Sequence, residues 1–210
     1  VRYTTSHPSD MNQELIRAHK DLDKLAPLLH LPVQTGSDKM LDRMNRGHSR
    51  NDYFRIIDKL LKAQPNLKLS SDFMVGFPGE TDKDFRSTMS LIAELDFIQA
   101  YSFKYSPRPG TPGATLDDQI PEEIKTERLK ELQNFVAIKQ HSFNESCVGH
   151  VMPVLLDRQG RRSGQLAGRS PYMQAVHVAA PPTYIGKIVA LRIEEALPNS
   201  LAGAIAEFSD

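Results

Sequence analysis

The chain has 210 residues, with 26 Lys and Arg matched by 26 Asp and Glu and 40% apolar residues. That composition is globular, and with a formal net charge of +0 no overall basic field draws in nucleic acid, so any such binding is local. The single cysteine, Cys147, excludes an intramolecular disulfide framework, and no apolar run approaches the roughly 20 residues that span a bilayer. The expectation is a cytoplasmic protein without a membrane partner.

The strand-like Val1-Arg2-Tyr3-Thr4-Thr5 opens the chain with no lead-in, which suggests that sequence precedes it. Met11, Leu15, Ile16, Ala18 and Leu22 then predict a helix over residues 10–25 with Asp10 as N-cap. Leu28 to Val33 predicts a strand, closed by Gln34-Thr35-Gly36-Ser37. Helices are expected over 38–44 and 50–63, and a strand from Leu67 to Phe77. Thr81 and Asp84 form a capping-box variant that starts a helix over 81–95, and Phe97 to Tyr105 is a fourth strand. Strands alternating with helices predict a parallel sheet with right-handed crossovers, and four are too few to close an eight-stranded barrel.

Pro107 to Pro112 is too stiff for a helix, and Pro121, Glu122 and Glu123 suit the start of one running to about residue 145. After Cys147 short β runs at 148–156, 164–168, 174–179, 185–194 and 201–206 predict a small closed barrel of the OB type. The division is expected as an α/β domain over 1–145 and an all-β module over 146–210.

Ligands of parallel α/β folds bind at the carboxyl ends of the strands. Asp72, Gly76 and Gly79 stand at one such end, Gln34 at another, and Arg46 follows the next short helix. Taken singly, each suits an ordinary turn. Together they bring a carboxylate, an amide and a cation to one rim, which makes a ligand site: Arg46 can clamp a carboxylate and Asp72 can accept from a ribose. Tyr105 and the proline-framed Arg108 share that rim, as does His7 after the first strand, a candidate for the substrate shell. In the β module Arg158, Arg161, Arg162 and Arg169, with Tyr172 and Lys187, suit RNA backbone contacts and base stacking. Asp157, Glu194, Glu195, Glu207 and Asp210 keep the net charge there modest, and a solvated loop explains the arginines almost as well.

Five segments carry a resemblance. Thr4-Thr5-Ser6-His7-Pro8, His30 to Ser37, Met44-Asn45-Arg46-Gly47, Asp72 to Thr81 and Tyr105 to Thr111 occur in order, and together they resemble the radical-SAM methylthiotransferases. The first segment favours the tRNA-modifying branch over the ribosomal-protein-modifying one, and residues 147–207 resemble a TRAM domain. The resemblance implies an α/β fold, a partial radical-SAM TIM-like βα barrel, followed by a small OB-like TRAM barrel. It also implies sulfur insertion and methylation at adenine C2 of N6-isopentenyladenosine beside the tRNA anticodon. The implied cofactors are S-adenosyl-L-methionine and 4Fe–4S clusters. Arg46 would hold the carboxylate of S-adenosyl-L-methionine, Gln34 and Asp72 its ribose, and Gly76, Phe77 and Gly79 its adenine, with Ser37 and Glu80 in the same set. Such enzymes hold their clusters with several cysteines, so the cysteine-bearing part is expected upstream of Val1 and this chain alone is expected to be inactive. A non-catalytic RNA-binding protein is the rival reading. Exposed sheet edges would also allow a homodimer.

Overall fold

The structure is a computed structural model that describes residues 1–4 and 7–206. Thr5, Ser6, Glu207 and Asp210 of the readings above lie outside the described residues. The chain divides into two compact units, Val1–Ala137 and Ile138–Asp210. The division falls inside a helix rather than at the expected 145/146 boundary, because that helix's last turns join the second unit's core.

The first unit contains helices α1 (Gln13–Asp21), α2 (Asp38–Arg43), α3 (Arg50–Ala63), α4 (Asp82–Glu94) and the first part of α5 (Glu122–Ser146). Its strands β1 (Leu28–His30), β2 (Lys68–Val75) and β3 (Phe97–Lys104) form a parallel sheet in that order. Of the expected first strand, the described residues show one bridge, Thr4 to His30. Asp10 is not the cap of α1. It ends a short 3-10 turn (Pro8–Asp10), and the Asn12 side chain accepts from the Leu15 N–H instead. Thr81 and Asp84 do form a capping box at the start of α4, and Ser49 and Asp52 form another on α3.

Alternation along the strands decides which face is buried. Leu69, Phe73 and Val75 of β2 join Leu29, Leu31 and Val33 under a cover of Ile16, Tyr53, Ile57, Phe85, Leu91 and Leu132 from the helices. The opposite face presents Asp72 and Met74 from β2 beside their partners Tyr101 and Phe103 from β3, the last two 56% and 40% exposed.

The second unit is a closed barrel, β4 (Val151–Gln159), β5 (Gln165–Arg169), β6 (Ala175–Ala179), β8 (Ser200–Ile205) and β7 (Ile188–Leu197) in spatial order. The parallel β6–β8 pair completes the ring. Val154, Leu156, Leu166, Val176, Val178, Leu191, Ile193 and Leu201 fill its interior, with Phe143 and Cys147 packed on them. At Gly168 a Cβ would lie 2.1 Å from the Leu155 carbonyl oxygen, so only glycine lets β4 and β5 approach that closely.

Candidate functional site

The carboxyl ends of β1 and β2 build the first site. Gln34 N–H donates to the Asp72 carbonyl at 2.9 Å and Met74 N–H to the Gln34 carbonyl at 2.9 Å. This cross-strand pair holds Gln34 at φ 73, a conformation that costs a non-glycine residue about 1–3 kcal/mol. Arg46 follows α2 through Asn45, which adopts φ 55 as helix-ending asparagines do. Burial pulls the Arg46 guanidinium below its ordinary value, and the nearby Asp72 carboxylate opposes that shift. Asp72 lies 3.5 Å from His30 Nε2, while His30 Nδ1 meets Ser70 Oγ at 3.0 Å.

A cleft of about 700 Å³ brings together Gln34, Arg46, Phe77, Tyr105 and Arg108, with Met74 and Phe103 beside them. The Phe77 and Tyr105 rings meet edge to face at 4.9 Å. Gln34 Oε1, Arg43 Nε, Arg46 Nε and Tyr105 OH are buried with no hydrogen-bond partner among the described residues. Buried polar atoms ordinarily have partners, so four on the residues lining one cleft fit a polar ligand. A carboxylate for Arg46, a hydroxyl for Gln34 and a flat base for Phe77 and Tyr105 together fit S-adenosyl-L-methionine, while the expected Asp72 stands beside the cleft rather than among its lining residues. An iron–sulfur cluster does not fit this chain. It holds one cysteine, and among the described residues no group of three His, Cys, Asp or Glu could hold a metal ion.

Other residues expected at the site lie outside this cleft. Ser37 is buried and donates to Asp84 Oδ1 at 2.6 Å, tying α2 to α4. Burial raises the Asp84 carboxyl, but hydrogen bonds from Ser37, Thr81 and Lys39 outweigh it and hold the group well below the usual range. Glu80 is buried against Arg128, at 2.8 Å, and accepts from the Gly76 N–H at 2.7 Å. Burial nevertheless raises its carboxyl above the ordinary value. Gly76 and Gly79 adopt φ 72 and 77, and a Cβ at Gly79 would meet Asp118 at 2.5 Å. The positive φ is thus reason enough for glycine at both. His7 accepts from the Ser9 N–H and stacks edge-on with His48 at 5.0 Å. His30, Tyr101, Met74 and Phe103 were missed from sequence. Alternation from Asp72 points to Met74, but Tyr101 and Phe103 needed the β2–β3 register.

On the barrel, Arg161 and Arg162 are exposed between β4 and β5 and, with Arg158, line a groove of about 790 Å³. The remaining residues of that set lie outside this groove. Arg169 Nη1 donates to the Met173 carbonyl at 3.0 Å, and Lys187 lies over the Tyr184 ring at 5.6 Å. Tyr172 packs edge-on against Phe143 at 5.2 Å, and burial raises its phenol.

The Radical SAM superfamily model matches residues 1–92, and the TRAM domain model matches residues 145–206. A tRNA-2-methylthio-N(6)-dimethylallyladenosine synthase of Rickettsia bellii (strain OSU 85-389) is 55% identical over 206 residues, 98% of this chain. The protein of that name from Rickettsia rickettsii (strain Sheila Smith) is also 55% identical, and that from Rickettsia canadensis (strain McKiel) 54%. The chain spans 46% of the length of these relatives. Among solved structures, the radical SAM enzyme coproporphyrinogen III oxidase from Escherichia coli superposes with a TM-score of 0.53, covering 79% of this chain and 45% of that one. At 14% identity this likeness speaks for the fold alone. The chain belongs to the radical-SAM methylthiotransferase family, with part of the radical-SAM fold followed by a TRAM domain.

Proposed function

We propose that this chain supplies the S-adenosyl-L-methionine rim and the RNA-binding barrel of an enzyme that makes 2-methylthio-N6-dimethylallyladenosine in tRNA, in the cytoplasm. The cleft carries this reading, because its buried atoms without a partner among the described residues include those of Gln34, Arg46 and Tyr105. Arg46 binds the amino-acid carboxylate, and its partial burial strengthens that contact. Gln34 and Asp72 take the ribose hydroxyls, with His30 orienting Asp72. Phe77 and Tyr105 together form one aromatic wall for a base and exclude water, and Arg108 on its proline-stiffened loop meets the RNA. Ser37, Gly76, Gly79 and Glu80 shape the loops that carry the rim. When bound, S-adenosyl-L-methionine supplies the methyl group and the adenosyl group of the family's chemistry. With one cysteine the chain holds no cluster of its own, so it is inactive alone, and incubation with iron and sulfide is expected to give no stable 4Fe–4S absorbance, whose appearance would overturn this. The β3 edge of the sheet is open to pairing with a second copy.

Titration of the chain with S-adenosyl-L-methionine, followed by amide NMR, tests the reading. Shifts are expected at Gln34, Arg46, Phe77 and Tyr105. Shifts confined elsewhere would overturn it, and tRNA binding without any response to S-adenosyl-L-methionine would favour a non-catalytic RNA-binding protein.

A further inference from the structure

The outer wall of the barrel holds an arrangement that the cleft chemistry leaves unused. Ala167 on β5, His177 on β6 and Ala202 on β8 are successive cross-strand partners, so one imidazole sits between small side chains on three adjacent strands. They form the floor of the 790 Å³ groove, which Arg158, Arg161, Arg162 and Glu195 also line. His177 Nδ1 is buried there and has no hydrogen-bond partner among the described residues. Whichever tautomer is present, that nitrogen offers a donor or an acceptor to a ligand. A uniform polyanion would meet Glu195 unfavourably. A ligand with an anionic end and a flat, hydrogen-bonding end suits both the arginines and the carboxylate, and the alanine floor leaves room for a ring.

We propose that this groove takes one unpaired nucleotide of an RNA, its phosphate against Arg161 and Arg162 and its base over Ala167 and Ala202. The base edge then faces His177 Nδ1 and Glu195. This rests on the reading of the barrel as RNA-binding. Paired, stacked bases of a duplex do not present such an edge, whereas splayed loop nucleotides do.

The 210-residue chain is titrated with a tRNA-type stem–loop and with a blunt duplex of equal length, across a range of salt. Tighter binding of the stem–loop is expected. Arg161→Glu combined with Arg162→Glu should weaken stem–loop binding at least tenfold and make the log–log salt slope shallower by about 1.4, the value for two single-strand phosphates. His177→Ala should cost about fivefold in affinity with an unchanged salt slope, as one lost uncharged hydrogen bond would. Ala202→Trp, which fills the floor, should weaken the stem–loop more than the duplex. An unchanged thermal midpoint shows that each variant is folded. If the wild-type chain binds the stem–loop and these variants all match it, the groove assignment falls while RNA binding stands. If the wild-type chain binds neither RNA, the reading of the barrel falls and the groove with it.

Discussion

The open sheet and the closed barrel solve the problem of presenting a binding surface in opposite ways. The three-stranded sheet buries one face under helices and leaves Asp72, Met74, Tyr101 and Phe103 on the other, so its cleft forms where strands end on that face. The barrel spends its interior on apolar packing, so any ligand must use the outer wall and the β4–β5 turn. The sheet's site consequently depends on long-range loop contacts, while the barrel's depends on neighbouring strands and the turn that joins two of them. A buried ion pair, Glu80 with Arg128, tethers the first. Ring closure holds the second.

Breaking each tether separately sharpens this contrast. The largest effect is expected from Arg128→Met, which strands the buried Glu80 carboxylate and removes the 2.6 Å contact to Asp82. Removing one partner of a buried pair costs about 3–5 kcal/mol. Urea unfolding should show the loss in the first unit, with hydrogen exchange of the barrel strands unchanged. Leu201→Ala does the converse. Leu201 is fully buried on the closing strand β8, and truncation there should cost about 2–5 kcal/mol, with faster exchange along β6 and β8 first. Arg46→Ala should leave both units folded and weaken S-adenosyl-L-methionine at least tenfold, about the worth of one charge-assisted hydrogen bond. Isothermal titration measures it.

The smallest effect near neutrality concerns acid. Asp84 titrates lower in the folded chain than its ordinary 3.8, so its contribution is fully present above that value. It is lost only as pH falls through the lower folded value. Urea midpoints of the wild type and Asp84→Asn should therefore differ by a constant amount near neutral pH and converge in strong acid. A gap that closes already well above 3.8 would mean that Asp84 is not held in this network.

Local signals in the sequence were enough for most elements. Apolar spacing gave α3 and α4, and the Thr81–Asp84 pair marked the start of α4 within one residue. The five barrel strands lie close to their expected ranges because turn residues punctuate them. Of the first strand the described residues show one bridge, Thr4 to His30, since pairing rather than propensity makes a strand. Asp10 lost the cap of α1 to Asn12, two positions on, where the helical hydrogen bonds begin. For the site, motif order drew Gln34, Arg46, Phe77, Tyr105 and Arg108 into one set, and they line one cleft. The partners of Glu80 and Gly79 were illegible, since Arg128 and Asp118 are far along the chain and arrive only through tertiary packing. His177 gave no local sign, because its flanking alanines come from two other strands.

The division of labour between the two units is tested most directly by one crossed binding experiment. The wild type, Arg46→Ala, and the Arg161→Glu, Arg162→Glu double variant are each titrated with S-adenosyl-L-methionine and with the stem–loop RNA. The cleft variant is expected to lose only the small molecule and the barrel variant only the RNA. Loss of S-adenosyl-L-methionine binding in the barrel variant, or wild-type affinity for it in Arg46→Ala, would contradict the account.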